Sequence, residues 1–262
     1  NGHAAVLSSL CSAGADVNSK DTDGTAPIHL AVLQGDSNVL LALHQAGIDL
    51  NTKSGQGMTP AHAAAQDGHV EVLTILHQAG ADLNRQDDHG QTPAHLAAWK
   101  NRVPVLTVLS QAGVDLDKQN NQGVTPAHAA AIKGHSQVYL ALHAAGANLN
   151  IQNKDGDTPV HVAAQHDHVD FIMACNQTNA NLNELNNQSH TPAHVAAFKG
   201  YDKTLSALHA VGANLSKPNN KGFTAAHIAA QQGHAQSMVV LHRAGANLEY
   251  QNAWRATPLH KA

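Results

Sequence analysis

The sequence predicts an all-α solenoid of 33-residue helix-turn-helix units with β-turn or hairpin tips. Three observations carry that expectation. A histidine recurs at 29, 62, 95, 128, 161, 194, 227 and 260, so each interval is 33 residues (62 − 29 = 33, through 260 − 227 = 33). Hydrophobic residues make up 42% of the chain but aromatics only 3%, with alanine recurring throughout. A compact core draws much of its burial from large rings; a chain without them packs slim helices closely instead. Finally, each period holds two short apolar segments, and helices of eight to ten residues persist in water only when stacked on their neighbours.

Residues 57 to 84 show how one unit is built. Gly57 supplies the positive φ of a tight turn, and Thr59 can cap the first helix with its hydroxyl. Pro60 occupies the first helical position, where its missing N–H costs nothing. Ala61, Ala63, Ala64 and Ala65 make a thin helix, which Asp67-Gly68 ends. A second helix begins near His69 and aligns Val72, Leu73 and Leu76 on one face. Gly80 then gives the left-handed residue that stops it.

The histidine segments read APIHLAV, TPAHAAA, TPAHLAA, TPAHAAA, TPVHVAA, TPAHVAA, TAAHIAA and TPLHKA. AGADVN, AGIDLN, AGADLN, AGVDLD, AGANLN, NANLN, VGANLS and AGANLE follow at a constant offset. Eight copies in register make the chain similar to the ankyrin-repeat family, whose signature is T-P-L-H-x-A at a period of 33. The resemblance covers all 262 residues as one ankyrin-repeat domain. Seven complete repeats fit within 19–249 (249 − 18 = 231 = 7 × 33), with partial repeats at 1–18 and 250–262. Gly2-His3 matches Gly68-His69 and the chain stops at His260-Lys261-Ala262, so both ends read as interrupted repeats of a longer protein.

Departures cluster between 167 and 189. Asp167 and Ser189 replace loop and turn glycines, Asn179 replaces the helix-ending glycine, and Cys175-Asn176 stands where other units have Leu-His. This stretch is the expected soft joint. Pro104 falls in a first helical turn and is harmless.

Composition excludes several function classes. Net charge is −4 and Lys and Arg are scattered singly, unlike the clustered positive charge of a nucleic-acid or polybasic membrane surface. No apolar run approaches the roughly 20 residues of a membrane helix. Cys11 and Cys175 show neither CxxC spacing nor a paired framework, which suits a reducing cytoplasmic setting. GxSxG, HExxH and GxxxxGK are absent, and Asp21-Thr22-Asp23-Gly24 resembles a calcium loop only superficially. No catalytic residue, metal ligand or cofactor is therefore expected, and the chain is read as a non-enzyme.

The repeating histidines cannot share an ion, because packed helices lie 8–10 Å apart while zinc needs nitrogens about 2.0–2.1 Å away. The resemblance implies instead that they hydrogen-bond turn to helix and tie repeats together. A second series, His44, His77, His143, His209 and His242, takes a slot usually held by leucine. Such a half-buried ring either satisfies a loop carbonyl or makes the stack pH-sensitive.

Slots that vary between repeats face solvent. In ankyrin repeats these are the turn tips and the exposed side of the first helix, which line the concave face. They hold Met58, Trp99, Lys100, Val124, Ile132, Lys133, Phe198, Lys199, Phe223 and Trp254. Exposed apolar groups mark interfaces and aromatic anchors dominate them, so the expected function is a monomeric adaptor gripping a protein partner there. A targeting arm of a larger enzyme is the alternative. TPAH with LHQAG resembles the ankyrin proteins that intracellular bacteria deliver into host cells, which implies secretion into host cytosol and a host protein as partner.

Overall fold

The computed structural model describes residues 2–262, and among them there are fifteen α-helices, two 3-10 turns and no strand. The chain divides into two compact units, Asn1–Asn121 and Gln122–Ala262. In the first, α1 (Gly2–Ser12), α2 (Pro27–Leu33), α3 (Ser37–Gln45), α4 (Pro60–Asp67), α5 (Val70–Gln78), α6 (Pro93–Trp99) and α7 (Val103–Gln111) alternate between two layers. The proline-led helices α2, α4 and α6 stack on one another, as do α1, α3, α5 and α7.

The second unit repeats the plan. Its helices are α8 (Pro126–Lys133), α9 (Ser136–Ala144), α10 (Pro159–Gln165), α11 (Val169–Ala174), α12 (Pro192–Lys199), α13 (Asp202–Ala210), α14 (Ala225–Gln231) and α15 (Ala235–Arg243). Helices α8, α10, α12 and α14 form one layer; α9, α11, α13 and α15 form the other. The core lies between layers. Ala64 and Ala98, like Leu73, Leu76, Leu106 and Leu109, are almost wholly buried. Alanine keeps the first helices thin while leucine from the second fills the space, each buried leucine contributing roughly 1.5–3 kcal/mol.

Three hydrogen-bond ladders join neighbouring repeats inside each unit. In the first, His62 Nδ1 accepts the Thr59 N–H at 3.1 Å and the Thr59 hydroxyl at 2.8 Å, while Nε2 donates to Gln91 O at 2.9 Å. A carbonyl only accepts, so the ring is the neutral Nε2–H tautomer. Equivalent bonds run from His29 to Met58, His128 to Asp157, His161 to His190, His194 to Phe223 and His227 to Ala256. This is a capping box with histidine in the glutamate position. The Thr hydroxyl serves the ring more than the backbone; among the described residues Thr125 and Thr191 also accept the histidine N–H, at 3.4 Å.

The second ladder explains the AGADLN motif. Asn18, Asn51 and Asn84 each accept through Oδ1 the backbone N–H of Asp49, Asp82 and Asp115 in the next repeat. In the second unit Asn150 and Asn183 through Oδ1, and Ser216 through Oγ, accept the N–H groups of Asn181, Asn214 and Asn247. A third ladder holds the first helix at its C-terminal end. His69, His168 and His234 give Nε2–H to Leu33, Ile132 and Phe198, and Arg102 takes the same role toward Gln66.

This third ladder requires glycine beneath the ring. Gly134 sits at φ +71°, and a Cβ there would stand 2.7 Å from His168 Nδ1. Asn101, Asp167, Ser189 and Arg255 adopt φ of 57°, 57°, 62° and 59° in glycine slots, a conformation that costs a side-chain-bearing residue about 1–2 kcal/mol. Two are offset by side-chain bonds, Asp167 accepting from Thr204 Oγ1 at 2.7 Å and Ser189 accepting from Asn220 at 2.7 Å.

The irregular stretch is repacked. Asn179, in the slot of a helix-ending glycine, does not adopt the left-handed conformation of those glycines; α11 stops at six residues and passes into a 3-10 turn over Cys175–Gln177. Cys175 fills less volume than the leucine of other repeats. Phe171 and Tyr139, the largest fully buried side chains, fill the difference with ring centroids 4.3 Å apart. Burial pushes the Cys175 thiol up to about 12.

Candidate functional site

The turn tips and the ends of the first helices form the surface singled out above. Asx turns at Asp21, Asp87, Asn153, Asn186, Asn219 and Asn252 fix their tips, and the Ser54 hydroxyl takes that slot in another. Asp87 Oδ1 accepts the N–H groups of His89 and Gln91 at 2.9 and 2.8 Å, and the Asp87 N–H closes the turn onto Gln91 O. Adjacent tips then join, as when Gly55 donates to Asp23 O and Asp88 to Gln56 O. Side chains on these tips therefore project from a backbone held on both sides.

In the first unit, Met58 is half-buried on its tip, while Trp99 is 37% exposed and Lys100 exposed where α6 ends. Leu30 and Leu33 of α2 are 52% and 48% exposed. Leu33 occupies the slot of Trp99 (99 − 66 = 33), so the same register would have revealed it. Leu33 and Met58 line one cleft of about 510 Å3 with Asp23 and Gln56.

In the second unit the expected residues differ in exposure. Phe198 and Trp254 are 47% and 64% exposed, and Lys133 and Lys199 are exposed. Val124, Ile132 and Phe223 are only half-buried. Phe223 lies edge-on to His227 at 5.5 Å and Trp254 at 5.7 Å, beneath the Lys261 ammonium at 5.4 Å. Part of its surface is thus already engaged within the unit. Lys133, His166 and Lys199 end successive first helices. Burial chiefly, then His168 and the two lysines, lowers the proton affinity of His166.

Both ring nitrogens of His29, His62, His128, His161, His194 and His227 are committed, which leaves no lone pair for a ligand. Burial lowers the proton affinity of His29, His62, His161 and His227, and holds His194 down to about 4. Among the described residues no group of three or more His, Cys, Asp or Glu is placed to hold a metal ion. The second histidine series departs from expectation. His44, His77, His209 and His242 are exposed, and only His143 is half-buried. Each stands in the last turn of its helix, where a polar or cationic ring suits the exposed carbonyls.

In each unit, stacked helix pairs with locked tips and exposed apolar side chains define the helical-repeat class of protein. Family profiles described as "Ankyrin repeats (3 copies)" match residues 28–120, 79–153 and 127–219, and one described as "Ankyrin repeats (many copies)" matches 208–262. The chain belongs to the ankyrin-repeat family. Ankyrin repeats generally mediate protein–protein interaction and are typically non-enzymatic modules. No curated protein matches the chain significantly. Among the described residues no helix is long and apolar enough to cross a membrane.

Proposed function

We propose that the chain is an adaptor that grips a protein partner on the surface built from its turn tips and first-helix ends. One observation carries this reading: large apolar side chains stand exposed in a helix-end slot where solvation alone favours Lys or Glu. Trp99 and Phe198 occupy that slot, and each is followed by a lysine, Lys100 and Lys199. An aromatic anchor beside a mobile charge is the composition of an interface hot spot with its polar rim. Met58, Val124, Ile132, Lys133, Phe223 and Trp254 extend the surface within their own units. The TPAH and LHQAG style of the repeats favours a host-cell protein as the partner of a delivered bacterial effector.

The test is substitution of the anchors. Trp99→Ala and Phe198→Ala should each weaken partner capture by roughly thirtyfold, the equivalent of about 2 kcal/mol. Both side chains are substantially exposed, so thermal midpoints should stay within a few degrees. Two variants that fold and bind normally would rule this surface out.

A further inference from the structure

The second unit contains a cleft of about 450 Å3 between a turn tip and the ends of α10 and α12. Asp155 and Asp157 form its tip side, Phe198 and Lys199 its helix side, and Gln165 and His190 lie among the residues between. Gln165 occupies the slot that holds Trp99, Ile132 and Phe198 in other repeats, so here a polar side chain stands beside the exposed ring.

We propose that this cleft receives a basic side chain, arginine in preference to lysine, from the partner protein. The inference rests on the tip-and-helix surface being the binding surface. The tip backbone that carries the two carboxylates is held in place before any partner arrives, and the Asp157 carboxylate with it. Asn153 Oδ1 accepts the N–H groups of Asp155 and Asp157 at 2.9 and 3.0 Å, and Asp155 O accepts from Asn187 at 3.1 Å. One oxygen of Asp157 accepts from Asn186 Nδ2 at 2.7 Å. Among the described residues neither carboxylate is ion-paired with a lysine or arginine. Pre-ordered groups lose little entropy on binding.

Charge and shape agree. His190 is held neutral at pH 7 by burial, which lowers its proton affinity. The lining then carries two carboxylates against the single ammonium of Lys199, a net −1. Lys199 is exposed at the last turn of α12, and its flexible stem lets the charge move into water. A guanidinium can fork onto a carboxylate and lay its plane on the open face of Phe198, whereas an ammonium does only part of this. The arrangement is particular to this repeat. The neighbouring cleft of about 230 Å3 has Gln188 and His190 where Asp155 and Asp157 stand, and adds Lys221. The matching cleft of the first unit has Asp23 but Thr25 where Asp157 stands.

A displayed library of random twelve-residue peptides, panned against the full 262-residue chain, tests this. A basic residue, Arg more often than Lys, should be enriched several-fold at one position of the selected peptides. Those peptides should bind Asp155→Ala/Asp157→Ala at least tenfold more weakly, and Asp155→Asn several-fold more weakly. Asp155→Asn preserves shape and every backbone bond, so it covers the case in which the double variant loses its fold. Binding to Asp16→Ala, an exposed carboxylate in the first unit, should be unchanged. Selected peptides that need Phe198 yet lack basic residues, or tolerate loss of both carboxylates, overturn the inference and leave the adaptor reading intact. If no peptide is selected, or if binding ignores Phe198→Ala as well, the adaptor reading falls and the inference with it.

Discussion

Acidification should unfold this protein through its histidine ladder. A ladder ring can take a second proton only at Nδ1, where the Thr N–H and hydroxyl both point, and burial penalises the charge further. His194 is 1% exposed and its proton affinity is held down to about 4, against 6.5 for a free histidine. Because the folded value lies below the unfolded one, the unfolded chain binds more protons between pH 6.5 and 4. Stability is therefore fully present above about 6.5, declines as pH falls through that window, and levels off near 4. A shift of 2.5 units corresponds to about 3 kcal/mol from His194 alone, a large part of the 5–15 kcal/mol typical of a folded domain. His29, His62, His161 and His227 act in the same direction. Urea unfolding at half-unit steps from pH 7.5 to 4.5 should show stability falling by more than about 1.4 kcal/mol per pH unit below 6.5, since more than one proton is taken up. In His194→Asn the decline should be shallower by up to about 1.4 kcal/mol per unit. Stability that stays flat or rises between pH 6.5 and 5 would refute the ladder argument.

Three further outcomes follow from particular residues. Hydrogen exchange should be fastest, among internal repeats, between Asp167 and Ser189, where α11 is shortened and two non-glycine residues hold positive φ; uniform protection would contradict this. Cys175, buried with its thiol pushed up to about 12, should resist iodoacetamide at pH 8 in the native state and react once urea unfolds the chain; labelling at the native rate of a free thiol would count against the packing described. Arg255→Gly should raise the denaturation midpoint by about 1 kcal/mol equivalent, because Arg255 is exposed at φ 59° in a glycine slot. A neutral or lowered midpoint would mean the arginine side chain offsets that cost.

The repeat, the helix pairs and the buried slots were legible in the sequence because they depend on local rules. Pro60 after Thr59 starts a helix, Gly80 stops one, and Val72, Leu73 and Leu76 share a face through helical period alone. The recurrence of 33 residues then implied stacking, since neither helix buries its apolar face without a neighbour. Packing between repeats decided the rest. Asn51 and Asn84 looked like ordinary turn residues, yet their amides bond the next repeat at a sequence distance of 31. His69 and His168 serve carbonyls 36 residues earlier, a relation that the local Gly-His pair marks but does not explain. The second histidine series shows the opposite case: periodicity set His44 and His77 beside buried leucines, and the rotation of each helix against its neighbours turned them to solvent. Exposure of Leu33 and partial burial of Phe223 were likewise set by which neighbour lies over each side chain. A linear pattern fixes which face of a helix is apolar, whereas the accessibility of one residue at the edge of that face depends on the volume of residues a full repeat away.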